Sequence, residues 1–504
     1  MKKLSLIILS LLMVLNLLGA AESIEVYIDG DKLVFDVEPE IVNNRTMVPL
    51  KIIFDELEMA VKWDGVMRKV TATKEDLTIE LIIDSDISYV NGNKVVIDSE
   101  AYIKEGRTMV PLAFLAESTG ANVMWNKSTK SVYISSLTYP IVDTGLTTLF
   151  SNDSYVSNIT EGSLFYGQDG HYSGSEANYL DNGDGTILDT VTGLMWQKTM
   201  TSKMTYDQAI EYANNSSLGG YDDWRIPTIK ELFSLILFTG QSGGEAASIL
   251  FIDTDYFDQP IGDTSIGERE IDAQTWSSTK YVGKTMHNDQ SVFGVNFIDG
   301  RIKAYPLIDP QQKQNKSGYF RLVRGNDGYG TNQFVDNGDG TISDLSTGLM
   351  WQLSDDGHTR DWGEALTYVE SLELAEYDDW RLPNIKELQS IVDYSKSLQT
   401  TDTPAIDNLF ELTPIKDPNG EKNYGYYWSS TTHQDGHNLA TNASYVAFGE
   451  AKGEMFGELL DVHGCGAVRS DPKSGDAETY PRYFGPQGDL RYVFNYTIAV
   501  RELK

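Results

Sequence analysis

The chain has 504 residues, 40% of them apolar, with a formal net charge of −34 at pH 7 and one cysteine, Cys465. At about 150 residues per domain, that length is room for roughly three domains. The charge repels phosphate backbones and speaks against nucleic acid as a partner, and a single cysteine excludes an internal disulfide.

The first residues are Met1-Lys2-Lys3, followed by an apolar run from Leu4 to Leu18 and then Gly19-Ala20-Ala21. A short basic region, an apolar stretch and small residues at a cleavage point are the parts of a secretory signal peptide. The run is short for a membrane span, which needs about 20 apolar residues. Residues 1–21 are therefore expected to be removed, with an uncleaved anchor as the alternative. No later stretch is apolar enough to span a membrane. The expected location is secreted or at the cell surface. Loss of Lys2 and Lys3 takes the net charge from −34 to −36, which suits solubility and cation binding.

Residues 24–135 contain a duplication with a constant shift of 62. Tyr27-Ile28-Asp29-Gly30 matches Tyr89-Val90-Asn91-Gly92, and Arg45-Thr46-Met47-Val48-Pro49-Leu50 matches Arg107-Thr108-Met109-Val110-Pro111-Leu112. A fixed shift over many points marks a repeated structural unit. Asp29-Gly30 and Asn91-Gly92 read as hairpin turns. Leu50 to Leu57 and Leu112 to Ser118 read as short helices, and the flanks as strands. The segment resembles the copper amine oxidase N-terminal-like domain, a stalk module of exported proteins. Between Ala21 and Tyr139 there is no His or Cys, the ligands that copper prefers. The expectation is a small α+β stalk or spacer, with a plain folding unit as the alternative.

Residues 136–164 are rich in Ser, Thr, Asn, Asp and Gly and read as a linker. A second duplication follows, over 165–326 (copy 1) and 327–504 (copy 2). Asp181-Asn182-Gly183-Asp184-Gly185-Thr186 recurs as Asp336-Asn337-Gly338-Asp339-Gly340-Thr341. Thr192-Gly193-Leu194-Met195-Trp196-Gln197 recurs as Thr347-Gly348-Leu349-Met350-Trp351-Gln352. Asp222-Asp223-Trp224-Arg225 recurs as Asp378-Asp379-Trp380-Arg381, and Trp276-Ser277-Ser278 as Trp428-Ser429-Ser430. Thr205 with Gln208, Thr228 with Glu231, Asp361 with Glu364 and Asn384 with Glu387 have the spacing of capping boxes and predict four helix starts.

These landmarks resemble the Lcl C-terminal domain family, named from a collagen-like bacterial adhesin. The resemblance implies a C-type-lectin-like α+β fold in each copy and adhesion to extracellular glycans. The chain departs from the family at Leu322 and Ala499, where many members carry a Cys, and in its overall acidity, which argues against sulphated polyanionic glycans unless a local basic patch or bound cations intervene.

Several residues are candidate site residues. Trp276 and Trp428 could stack on sugar rings, with Ser277 and Ser429 bonding hydroxyls and Asp222 and Asp378 as further contacts; core packing is the competing reading for the tryptophans. Asp181, Asp184, Asp336 and Asp339 are candidate Ca²⁺ ligands, although the spacing does not fit an EF-hand and a hairpin turn explains the same residues. His433, His437, His463 and Cys465 contain Zn-ligand types, but at spacings of no known motif. No other cofactor is implied, and no P-loop, dinucleotide or hydrolase motif is present. The expected function is a non-enzymatic binding or adhesion protein for an extracellular glycan or protein, with a link to the cell envelope. The alternatives are an enzyme on a lectin-like scaffold, with its chemistry in the copy 2 insertion, or a structural envelope component.

Overall fold

A computed structural model describes residues 24–126, 128–243, 247–309 and 313–503, and the expected signal peptide lies outside them. The chain divides into two units, Met1–Thr138 and Tyr139–Lys504. Strands carry far more of both than helices do, so the α+β expectation narrows to a mostly β, multidomain architecture. No helix among the described residues is long and apolar enough to cross a membrane.

In the first unit, the two Arg-Thr-Met-Val-Pro strands lie antiparallel, with Val48 opposite Val110 and Met47 opposite Pro111. The 62-residue repeat is thus arranged about a local dyad. Each strand runs directly into a helix, Leu50–Glu56 and Leu112–Thr119, and both helices feed one core. Asp29-Gly30 and Asn91-Gly92 all have positive φ, which the expected turns require. A five-stranded meander spans residues 60–96.

The second unit is built on a six-stranded sheet. Copy 1 supplies β1 (Thr275–Lys280), β2 (Ser291–Asn296) and β3 (Arg301–Pro306); copy 2 supplies β4 (Tyr426–His433), β5 (Asn442–Ala447) and β6 (Ala467–Pro472). The order is β1-β2-β3-β6-β5-β4, with the copies joined where Ile302 meets Val468. Each three-stranded half is the counterpart of the other about this seam. One face carries Phe293, Val295, Ile302, Val446 and Val468 into a core common to both copies. On the opposite face the cores are separate. Trp276 packs there with the helix α1 (Tyr206–Asn214) of copy 1, and Trp428 with the helix α3 (Trp362–Glu370) of copy 2.

All four expected capping boxes form, at Thr205, Thr228, Asp361 and Asn384. The two short helices α2 (Ile229–Ser234) and α4 (Ile385–Ser390) lie together beneath the common core. They exchange lysines: Lys230 donates to Ser390 O at 2.6 Å, and Lys386 to Ser234 O at 2.9 Å. Burial lowers these ammonium groups to about 8 and about 7.

The linker expectation is corrected from Tyr139 onward. Tyr139, Leu146 and Phe150 are buried in the common core, and Tyr139 N donates to Ser346 O at 2.9 Å. The polar composition of this segment conceals apolar side chains spaced widely enough to leave no periodic signal.

Candidate inter-repeat binding cleft

The residues expected to contact ligand are mostly structural. Trp276 and Trp428 are 3% and 0% exposed, so neither ring offers a face to a sugar. Trp428 Nε1 donates to Arg360 O at 3.0 Å. Ser277 and Ser429 are also buried and donate to Phe293 O (2.7 Å) and Ser444 O (2.8 Å) on the neighbouring strand. Each sits where the register shifts, so its hydroxyl replaces ladder bonds lost at a bulge. Two residues on, Thr279 and Thr431 accept from the first helical N–H of α2 and α4, each at 3.0 Å. The repeated Trp-Ser-Ser-Thr run is therefore a clamp between sheet and helix.

Asp222 and Asp378 are exposed and do not line the cleft described below. Their neighbours bear the contacts: Asp223 receives a forked bond from Arg324 (2.6 and 3.0 Å), and Asp379 one from Arg501 (2.6 and 3.1 Å). The four candidate Ca²⁺ ligands are engaged in turns. Asp181 accepts from Gly183 N and Asp336 from Gly338 N, while Asp184 and Asp339 each accept from the N–H and hydroxyl of the threonine two residues on. Among the described residues no three His, Cys, Asp or Glu side chains gather as a metal site. His433 contacts Asp299 O, His463 contacts Asp489, and Cys465 contacts the Tyr281 hydroxyl, so the proposed Zn set is dispersed over different partners. Burial holds His463 at about 4 and raises the Cys465 thiol, so neither matches the charge state that a thiolate–imidazolium pair requires.

A concave site lies over the seam, on the outer sheet face between the two separate cores. It is a cleft of about 690 Å³. Its floor is β3, through Arg301, Lys303 and Tyr305, and β6, through Arg469 and Asp471. The strand alternation that sends Ile302 and Ala304 into the core turns these polar side chains outward. One wall comes from Arg269–Gln274 of copy 1 and the other from Phe484–Arg491 of copy 2.

The floor arginines are neutralised. Arg301 is bonded to Asp435 and lies 3.4 Å from Asp299; Arg469 is bonded to Asp489. Burial would raise Asp435, but the Arg301 guanidinium outweighs it and brings the carboxyl to about 2. Burial of Asp489 is likewise outweighed, by Arg469 and His463, and its carboxyl lies well below the usual range. Lys303 differs. Its ammonium makes no ion pair among the described residues; it lies 3.3 Å from Gln487 Oε1 and 5.2 Å from the Tyr305 ring centroid. Burial, reinforced by Arg469, lowers it to about 8. Beside it, Tyr305 Oη and Arg301 Nε are buried without hydrogen-bond partners. None of these residues stood out in the sequence. The available signal was the alternating Arg301-Ile302-Lys303-Ala304-Tyr305, which reads as an ordinary half-buried strand until its neighbour across the seam is known.

Fold and site together define a modular, β-rich protein whose tandem repeat builds one cleft shared by both copies. Residues 185–324 and 340–459 match the Lcl C-terminal domain, and residues 27–134 match the copper amine oxidase N-terminal domain. The two Lcl segments cover more than half of the chain, which belongs to the Lcl C-terminal domain family. No curated protein matches it.

Proposed function

We propose that this chain is an exported binding protein, secreted or at the cell surface, that holds an extracellular ligand in the inter-repeat cleft on a C-type-lectin-like scaffold. The ligand class is a carbohydrate bearing a carboxylate. The observation that carries this reading is Lys303, a cation set into the cleft floor between two neutralised arginines and lacking a carboxylate of its own. A half-buried ammonium whose one hydrogen bond goes to a neutral amide oxygen is incompletely compensated, and an incoming carboxylate completes it. Tyr305 Oη and Arg301 Nε supply unused polar groups beside it. The two matched families support the exported, surface-associated part of the reading.

The test is titration of the full chain with uronic-acid-containing oligosaccharides. Lys303→Met is expected to weaken binding about tenfold or more. Wild-type affinity is expected to fall above pH 8, where Lys303 loses its proton. EDTA is expected to leave binding unchanged, because the Asp-Asn-Gly-Asp-Gly-Thr carboxylates are engaged in turns. Failure to bind any acidic oligosaccharide, or equal binding by the variant, removes the proposal.

A further inference from the structure

Copy 2 has a second opening, of about 310 Å³, lined among others by Tyr426, Tyr480, Tyr492, Phe494, Asn495 and Tyr496. Tyr480, Tyr492 and Phe494 are partly exposed, so their rings are open to a ligand. Asn495 is only 2% exposed, and its backbone is fully paired with Arg360 through bonds of 2.9 and 3.0 Å. Its side-chain Nδ2 nevertheless has no hydrogen-bond partner. An amide donor buried without an acceptor is destabilising. An acceptor brought in by a ligand removes that cost.

The surroundings define the ligand's chemistry. The opening is lined by no carboxylate, and its one charged residue, Lys416, is exposed. A neutral ligand with an apolar face and an oxygen at its edge satisfies both the rings and the amide, and a pyranose has that pattern. The volume is at the small end of ligand pockets, which run from about 300 to 1,000 Å³. It has room for one or two sugar rings.

Copy 1 lacks the site. Gly318 pairs with Met204 as Asn495 pairs with Arg360, so glycine stands at the position of the donor. A Cβ on Gly318 would lie 2.6 Å from the Trp276 ring, so the copy 1 core leaves no space for a side chain there. Tyr480 and Tyr492 lie on the stretch between β6 and the last strand, Val500–Glu502; its counterpart in copy 1, between β3 and Val323–Gly325, is shorter.

We propose that this groove is a carbohydrate subsite, one per chain, that stacks a neutral pyranose on Tyr492 and Phe494 and donates to it from Asn495. It is separate from the inter-repeat cleft and takes an uncharged ligand. The test is titration of the full chain with neutral gluco-, manno-, galacto- and N-acetylglucosamine oligosaccharides. Phe494→Ala, at a partly exposed site, and Asn495→Leu are each expected to weaken binding about tenfold, by losing the stack or the donor. Lys303→Met leaves this binding unchanged and so separates the groove from the cleft. Should Asn495→Leu fail to fold, as read by circular dichroism, Phe494→Ala and Tyr492→Ala decide the matter. The proposal is overturned if no neutral oligosaccharide binds at millimolar concentration, if binding survives these substitutions, or if a proline-rich peptide binds through these residues and saccharides do not.

Discussion

Glu231 and Glu387 each join three parts of the structure. Glu387 receives a forked bond from Arg381 (2.7 Å for both arms) and closes the cap of α4 through Asn384 N. Glu231 does the same with Arg225 and Thr228 N. The arginines differ in their access to water, at 11% side-chain exposure for Arg381 and 32% for Arg225. Breaking a buried pair costs roughly 3–5 kcal/mol when one charge loses its compensation, and without Glu387 the guanidinium of Arg381 keeps only the exposed Glu502, 3.0 Å away, which places its cost at the low end. Glu387→Ala is thus expected to lower unfolding free energy by about 3 kcal/mol. Glu231→Ala is expected to cost about 2 kcal/mol, since Arg225 can rehydrate. Urea unfolding midpoints of the two variants check the order. The sequence made the caps legible, because each depends on residues three apart; the arginines that the same glutamates hold were not. It misdirected the ligand reading to Trp276 and Trp428 for the same local reason: an aromatic beside two serines has the composition of a sugar site whether it faces solvent or core.

Asp169 gives a second prediction at this scale. Its carboxylate is buried and accepts from Thr144 (2.9 Å) and Thr431 (2.6 Å). Burial raises it to about 7, against the two hydroxyls that pull it down. The folded state therefore keeps a proton that the unfolded chain releases near pH 4. Its contribution is fully present below about pH 4 and is lost as pH rises towards 7. Asp169→Asn is expected to abolish a loss on the order of 3 kcal/mol across that window, read as a flatter dependence of stability on pH between 4 and 7.

At the scale of elements, the seam between β3 and β6 is made by few direct bonds. Ile302 opposite Val468 is its one strand pair, and Ala304 N donates to His463 O at 2.8 Å just beyond it. Gly464, next to that carbonyl, has a φ of +86°, and a Cβ there would meet Phe293 at 3.1 Å and Ala304 at 3.3 Å. Both the backbone and the packing oppose a side chain. Gly464→Ala is expected to cost roughly 2 kcal/mol, more than the same change at Gly457, which has positive φ but open space around it. Thermal unfolding of the two variants separates strain from crowding. The helices α2 and α4 were legible from their caps, but their exchange of Lys230 and Lys386 was not. A lysine on a short helix reads as solvated until its partner helix, more than 150 residues away, is placed beside it.

At the scale of the molecule, the second duplication by itself reads as two domains in tandem, one per copy. The structure instead gives the copies one sheet and one central core, to which α2 and α4 both contribute. Pairing across such a repeat is non-local, and the sequence of one copy does not reveal whether its edge strand is covered by the other. An isolated copy would expose β3 or β6 as an open edge together with half of an apolar core, a combination that favours aggregation. Residues 139–504 expressed alone are therefore expected to unfold cooperatively in a single transition. Residues 165–326 or 327–504 alone are expected to be insoluble or rapidly proteolysed. Co-expression of segments 139–326 and 327–504 is expected to restore a protease-resistant complex, because the contacts holding the copies together do not depend on the chain that links them. Two stable, monomeric halves would show that the common core contributes little, and the inter-repeat cleft would then have no fixed floor on which Lys303 could be held.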